Sequence, residues 1–184
     1  MRRIEPIDTV RSAPDYLKGV PMANDQTPSL NGPIPIEEIV AEAPLVVRRY
    51  VKWGEVDFAR VAYTGKFLDW VLESAEVWFK RTMGESWAGF NAKRGITLPA
   101  MGCSLDFHHM LRPDDEINMT VLLERIGRSS HTLKIVAHNQ DGVHCFDGTL
   151  SFAAVDPATA KSVPMPDELK GRMDAYKVAC ESRR

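Results

Sequence analysis

The feature that most constrains the fold is a segment from about Thr64 to Met83 whose charged residues fall on one narrow stripe. The charges recur at spacings of four, three and four residues, at Asp69, Glu73, Glu76 and Lys80. Those spacings return to the same face of a helix. The rest of the circumference is apolar, which predicts a helix buried on most of its sides. Thr64 is a candidate N-cap, and Gly84 a candidate C-terminal stop.

The segments around this helix have the composition and alternation of strands. A β-branched and aromatic run from Pro44 to Trp53 precedes it. Four more predicted strands follow the loop MGESWAGFNAKR, at about 96–110, 116–126, 132–139 and 143–155. Turn-like residues separate them, and Gln140-Asp141-Gly142 predicts a tight hairpin. The last three strands therefore form an antiparallel meander, and a final helix is predicted over about 166–182.

One long buried helix and five strands predict an α+β fold. The predicted architecture is a single hotdog domain, in which a curved antiparallel five-stranded sheet wraps around one central helix. This domain covers residues 45–184. Residues 1–44 are rich in Pro, Asn, Ser and Gly and form an extended or partly disordered N-terminal arm. Long edge strands invite pairing, so we expect at least a homodimer, with a homotetramer also possible.

Composition excludes several classes of function. The formal net charge of −2 argues against general attraction to nucleic acid or to an anionic membrane. No apolar run approaches the roughly 20 residues of a membrane span, and no secretory signal is recognised. Three widely spaced cysteines fit free thiols in a cytoplasmic protein. The five histidines lack metal-ligand spacing, and adjacent His108 and His109 point to opposite faces of a strand, so neither a metal nor a cofactor is expected.

Two acids, Glu55 and Asp57, lie between the first strand and the helix in the stretch KWGEVDFARVAYTGKF. An acid at that place is a helix cap, a turn residue or a catalytic group, and its position alone does not choose among these roles. Glu55 has the ordinary interpretation of a solvated loop acid.

The chain resembles the 4-hydroxybenzoyl-CoA thioesterase group of hotdog-fold acyl-CoA thioesterases over about Val46 to Leu169. The most specific match is an aromatic residue, Gly, an acid, any residue and Asp, here Trp53 to Asp57, followed by a turn and a helix. Weaker matches follow in the same order, at RGI (94–96), CSLDF (103–107), RPDDEI (112–117), RIGRSS (125–130) and DGVHCFDGTLSF (141–152).

The resemblance implies hydrolysis of an acyl-CoA or aryl-CoA thioester. It places the catalytic carboxylate on Asp57, as general base or nucleophile. Backbone amides of Tyr63, Thr64 and Gly65 at the helix start would polarise the carbonyl. The turn containing Arg128, Ser129 and Ser130 would contact the CoA phosphates, while Arg125 is read as merely exposed. Trp53, Phe58 and Tyr63 are expected to form a dry wall beside Asp57.

Two departures from the family pattern leave alternatives open. Arg60 stands where the family usually has Gly, and Lys66, three residues after the aromatic Tyr63, stands where the family often has Asn. Arg60 would narrow the pocket or bind an acidic group of the substrate. The alternatives are a thioesterase acting on acyl carrier protein and an acyl-CoA-binding protein without catalysis. Glu73 and Glu76 are further acids, because another hotdog branch uses a helix Glu, but their stripe predicts a solvated face.

Overall fold

The computed structural model describes residues 37–182. Two β-strands and a short 3-10 turn at Trp53–Glu55 precede the long central helix. A short helix, four long strands, a pair of two-residue strands and a C-terminal helix follow it. The elements are β1 (Glu37–Glu42), β2 (Leu45–Tyr50), α1 (Thr64–Met83), α2 (Trp87–Arg94), β3 (Ala100–Phe107), β4 (Glu116–Ile126), β5 (Ser130–Asn139), β6 (His144–Ala153), β7 (Val155–Asp156), β8 (Lys161–Ser162) and α3 (Asp167–Glu181). None of the described helices has the length and apolar character to span a bilayer.

The main sheet is antiparallel and has the order β1-β2-β4-β5-β6-β3. This confirms the hotdog architecture and the meander of β4, β5 and β6. The sheet has six strands rather than the five predicted, because Glu37–Glu42 of the predicted arm pairs with β2. The rest of that arm, residues 1–36, lies outside the described residues.

Helix α1 has the predicted bounds and packs its wide apolar surface against the sheet. Trp70, Val71, Trp78 and Phe79 are fully buried. The sheet needs glycine where α1 crosses it, because a Cβ at Gly148 would lie 2.4 Å from a methyl group of Val71. Glycine at this position therefore lets the sheet and the helix approach each other.

Of the two caps predicted for α1, the structure confirms only the C-terminal one. Gly84 is the C-cap, with φ of 72° and its N–H donated to the Lys80 carbonyl, as predicted. The predicted N-cap is wrong, because Tyr63 holds that position and Thr64 is already the first helical residue. No side chain accepts a hydrogen bond there.

Helix α2 lies in a segment that the sequence predicts as a loop. The Ser86 Oγ accepts the Gly89 N–H at 3.2 Å and caps it, and Gly95 ends it in the left-handed region. Helix α2 has little helical propensity of its own, because it is only eight residues long and contains Gly89 and Asn91. Stacking of Trp87 on Phe79, with ring centroids 4.5 Å apart, holds it against α1.

Strand β3 is shorter than predicted and forms the second edge of the sheet. It pairs only with β6 among the described strands, and seven of its eight residues are exposed. Met101 and Phe107 are 65% and 50% exposed, and Leu68 and Leu72 of α1 are 38% and 40% exposed. This edge therefore carries apolar side chains that one protomer leaves uncovered.

His131 is buried in the core between aromatic rings. Its ring stacks on Phe152 at 5.1 Å, and the Trp78 ring lies 5.9 Å away. Neither ring nitrogen has a hydrogen-bond partner within residues 37–182. Burial lowers the pKa of His131 from 6.5 to about 4, because the charged form is excluded from this apolar site.

We expect acid to destabilise the fold through His131. Between pH 6.5 and 4 the unfolded chain binds a proton at this residue and the folded chain does not, so stability falls as the pH falls. The loss by pH 4 is about 3 kcal/mol of unfolding free energy. Urea unfolding at several pH values measures it, and His131→Phe should flatten the slope. His109→Phe, at an exposed histidine, should leave the slope unchanged, and equal slopes in the two variants would contradict the assignment.

Candidate active site

The loop between β2 and α1 is anchored by Glu55. Its Oε1 accepts hydrogen bonds from Arg49 Nη2 at 2.5 Å and from Trp70 Nε1 at 3.2 Å, and its Oε2 accepts the Lys52 N–H at 2.8 Å. Burial would raise the pKa of Glu55, but the donated hydrogen bonds and the Arg49 charge hold it below the ordinary value. The interpretation of Glu55 as a solvated loop acid is therefore wrong, since this residue ties the loop to β2 and α1.

Asp57 lies at the base of a tight hairpin. Its N–H donates to the Val61 carbonyl at 3.0 Å, its carbonyl accepts the Arg60 N–H at 3.0 Å, and its Oδ1 accepts the Ala59 N–H at 2.8 Å. Within residues 37–182, no hydrogen bond or ion pair engages Oδ2. Asp57 is thus a turn-forming residue and also presents an unengaged carboxylate oxygen.

Arg60 closes this hairpin in the left-handed region, with φ of 61°. Glycine adopts that conformation without steric cost, which explains why the family pattern has Gly at this position. The arginine side chain is exposed and borders an open cleft of about 810 Å³, together with Trp53, Met110 and Arg112. Lys66, the other departure, forms a surface ion pair with Asp69 at 2.9 Å.

The start of α1 offers two backbone donors, not the three predicted. The Tyr63 N–H donates to the Glu55 carbonyl at 2.8 Å, so this amide is already engaged and the prediction for it is wrong. In the described part of the chain, the N–H groups of Thr64 and Gly65 have no backbone acceptor. The Tyr63 ring covers Gly65 so closely that a Cβ there would lie 2.7 Å from the ring.

A cleft of about 280 Å³ opens at this helix start. Its wall joins the end of the Asp57 hairpin, the first turn of α1 and the segment that follows β3. The lining residues are Val61, Ala62, Thr64, Phe67, Phe107, His108, His109, Met110 and Leu111. The Ala62 N–H donates to the Leu111 carbonyl at 2.8 Å, which holds two of these walls together. Asp57 does not itself line the cleft, but its N–H donates to the carbonyl of Val61, which does.

The predicted aromatic wall does not form within one protomer. Phe58, Trp53 and Tyr63 are 101%, 77% and 56% exposed, so they do not cover the Asp57 carboxylate. Of the helix acids predicted to lie on a solvated face, Glu76 is exposed as predicted, and Glu73 is only partly exposed. Glu73 bonds to Arg49 at 2.7 Å, and burial raises its pKa more than the Arg49 charge lowers it. Glu76 lines a second cleft of about 430 Å³ beside Trp87 and Phe152.

The turn predicted to contact phosphate lies at the other end of the sheet. The Gly127 N–H donates to the Ser130 carbonyl at 2.7 Å, and the Met165 N–H donates to the Arg128 carbonyl at 3.0 Å. The Asp57 loop follows Tyr50, which pairs with the first residue of β4, whereas this turn follows the last residue. The 11-residue β4 separates them by roughly 30 Å. One chain therefore does not bring Arg128, Ser129 or Ser130 to Asp57.

The structure brings together histidines that the sequence places apart. His108, His144 and Asp147 present ligand atoms within 4.8 Å of one another. The spacing of the histidines along the chain gave no sign of this cluster, since the fold and not the spacing brings the three side chains together. Residues three apart in a regular strand point to opposite faces, but a bulge at Cys145, between the pairs His138–His144 and Ala137–Phe146, brings His144 onto the same face as Asp147.

Comparison with known proteins identifies the family of the chain. The model of the thioesterase-like superfamily matches residues 51–173, which include the Asp57 loop, α1 and the turn at Arg128. The chain belongs to the thioesterase-like superfamily. Membership in this superfamily supports thioester hydrolysis as the reaction class.

Individual proteins of known sequence or structure are similar to most of the domain. A 1,4-dihydroxy-2-naphthoyl-CoA hydrolase from Synechococcus sp. (strain WH7803) is 25% identical over 139 residues, covering 71% of this chain and 89% of the relative. A 1,4-dihydroxy-2-naphthoyl-CoA thioesterase from Synechocystis superposes with a TM-score of 0.66 at 16% identity, over 70% of this chain and 94% of that one. A Staphylococcus aureus protein solved in complex with CoA reaches 0.68 at 12% identity, over 80% and 89%.

Proposed function

We propose that this protein hydrolyses an aryl-CoA or acyl-CoA thioester to the free acid and CoA. The observation that carries the proposal is a pair of features within residues 37–182: an Asp57 oxygen that has no partner, and a helix start whose Thr64 and Gly65 amides have no acceptor. This pair of features lies within the part of the chain that matches the thioesterase-like superfamily. The carbonyl oxygen of the thioester would bind at the two amides, in the 280 Å³ cleft.

The chemistry assigned to Asp57 is that of a general base or a nucleophile. As a base, its carboxylate removes a proton from water while the water oxygen bonds to the carbonyl carbon. The negative charge that develops on the carbonyl oxygen is stabilised by the Thr64 and Gly65 N–H groups and by the positive end of α1. Collapse of the tetrahedral adduct breaks the C–S bond, and the CoA thiolate takes up a proton.

The proposed acyl group is aromatic. Phe67 and Phe107 line the cleft and meet edge to face with ring centroids 4.8 Å apart, a surface that suits an aryl ring. The Synechococcus and Synechocystis relatives are described as acting on a naphthoyl-CoA. Arg60 and Arg112 on the neighbouring cleft would favour an anionic or hydroxylated substituent.

The carrier site is proposed to need a second copy of the chain. Strand β3 starts opposite Phe152, near the Arg128 turn, and ends opposite Phe146, near the cleft. If two β3 strands pair antiparallel around a twofold axis, the start of one lies beside the end of the other. The Arg128, Ser129 and Ser130 turn of the second copy then approaches the cleft of the first, where it would bind the CoA phosphates.

We expect Met101→Lys, on the exposed β3 edge, to give monomers and to abolish CoA thioester hydrolysis. A buried charge at the paired edge would oppose association. Val178→Lys on α3 is the matched control, because Val178 is 64% exposed and Met101 is 65% exposed. Sedimentation velocity and thiol release measure the two effects. A wild-type protein that is monomeric at micromolar concentration and fully active would contradict the composite site.

A panel of thioesters tests the proposed function. Aryl-CoA, acyl-CoA and acyl carrier protein thioesters are compared by the release of free thiol. The proposal expects turnover of CoA thioesters, fastest with an aryl group. Turnover of acyl carrier protein thioesters alone would show that the protein acts on acyl carrier protein and not on CoA. Tight binding of acyl-CoA with no thiol release would overturn hydrolysis in favour of the binding function to which Arg60 points.

A further inference from the structure

We propose that His108, His144 and Asp147 form a binding site for a divalent transition-metal ion, with zinc as the expected occupant. The site lies on the face of the sheet away from α1, because Asp147 precedes Gly148, whose Cα faces Val71 of α1. None of its three ligands is assigned a chemical step in thioester hydrolysis, although His108 lines the 280 Å³ cleft.

Two imidazole nitrogens point at one carboxylate. His144 Nε2 lies 2.8 Å from Asp147 Oδ1, and His108 Nε2 lies 3.8 Å from Asp147 Oδ2. Zinc binds imidazole nitrogen and carboxylate oxygen at about 2.0–2.2 Å, so neighbouring ligand atoms around one ion lie roughly 3–3.5 Å apart. Small side-chain rotations bring this trio to that geometry.

The backbone already holds the three ligands in place. The His108 N–H donates to the Cys145 carbonyl at 2.8 Å, which fixes the end of β3 against β6. The bulge at Cys145 sets His144 beside Asp147. The His108 and His144 rings pack 4.3 Å apart, and the His138 ring stacks on the other side of His144 at 5.2 Å. A preformed site reduces the ordering that metal binding must bring about.

The charges around the cluster both favour and oppose a cation. Asp106 pairs directly across from Asp147, so two carboxylates share this surface. Lys134 Nζ lies 3.3 Å from Asp147 Oδ2 and competes with a metal ion for that oxygen. Two imidazoles and one carboxylate suit zinc and leave one position of a tetrahedral site for water.

Metal binding at this site would connect β6 to the wall of the cleft. His108 is both a proposed ligand and a lining residue of the 280 Å³ cleft. Because an ion that binds only the folded chain shifts the folding equilibrium, zinc should raise the midpoint of thermal unfolding. The effect does not depend on turnover, so the proposal can fail while thioester hydrolysis stands.

Titration calorimetry of the chelator-treated full chain with Zn²⁺ tests the site, and Co²⁺ absorption reports the ligand geometry. We expect one ion per chain, and about tenfold or greater weakening in His144→Ala and Asp147→Asn. His109→Ala is the matched control and should bind as the wild type does. Lys134→Met should bind more tightly, which tests the site without removing a ligand.

Equal Zn²⁺ affinity in the wild type, His144→Ala and Asp147→Asn would overturn the proposal, and so would unchanged affinity in Lys134→Met. A Co²⁺ spectrum that is the same with and without His144 would also overturn it. Loss of affinity in His109→Ala to the same degree would show that binding is not confined to this cluster.

Discussion

Asp57→Asn should fold as the wild type does and lose hydrolysis of its best CoA thioester by about 10²–10⁴-fold in kcat/KM. Asparagine keeps the Oδ1 acceptor for the Ala59 N–H, so the hairpin that Asp57 closes is preserved. What it removes is the negative charge and the unengaged oxygen that would act on water or on the carbonyl. The prediction therefore separates the catalytic role of this residue from its structural role.

Two measurements make the Asp57 result interpretable. Urea unfolding should give an unfolding free energy within about 0.5 kcal/mol of the wild type, as for a substitution that leaves the fold contacts in place. Glu76→Gln is the control acid, since Glu76 lies in the second cleft, and it should retain activity. Full activity in Asp57→Asn would reject Asp57 as the catalytic carboxylate, and loss of activity only in Glu76→Gln would transfer the role to α1.

Arg49→Met is expected to give a loss of about 3–5 kcal/mol in unfolding free energy. Arg49 is 1% exposed on the helix-facing side of β2, and it bonds to Glu55 at 2.5 Å and to Glu73 at 2.7 Å. Its guanidinium also lies 4.7 Å from the centre of the Trp70 ring. Removing the cation leaves two carboxylates near each other without their shared partner.

The neighbouring arginine supplies the control for Arg49. Arg48 points to the other face of β2, is partly exposed, and pairs with Glu116 at 3.2 Å. Surface ion pairs contribute about 0–1 kcal/mol, so Arg48→Met should change stability by that amount or less. Urea unfolding of the two variants measures the difference. Equal losses of unfolding free energy would show that the Arg49 cluster, formed by Arg49, Glu55, Glu73 and Trp70, does not anchor the loop.

The Arg49 cluster also explains how the active-site loop is positioned. Glu55 accepts from Arg49 and Trp70 through its side chain, and from the Tyr63 N–H through its carbonyl. One residue therefore connects β2, α1 and the last residue before the helix. Of the two loop acids, Glu55 holds the loop in place, and Asp57 keeps one carboxylate oxygen without a partner among the described residues.

Periodicity made the central helix predictable. The charged stripe of Thr64–Met83 and the left-handed Gly84 are local signals, and the structure reproduces both. The strand pairings from β4 to β6 follow from turn residues at fixed positions. The short helix α2 and the strand β1 were not predictable in the same way, because α2 has little helical propensity of its own and depends on stacking of Trp87 on Phe79, while β1 depends on pairing with β2.

The sequence by itself determined the buried helix, the meander and the presence of an acid between strand and helix, because those depend on local spacing. Only the tertiary structure decided which groups are engaged. It assigned the Tyr63 amide to Glu55 and left the Thr64 and Gly65 amides without an acceptor among the residues it describes. It also placed the Arg128 turn roughly 30 Å from Asp57 and, through a single bulge, set His144 beside Asp147. Each of these outcomes depends on how strands pair or on how the loop before α1 closes, and the local spacing of residue types does not encode either.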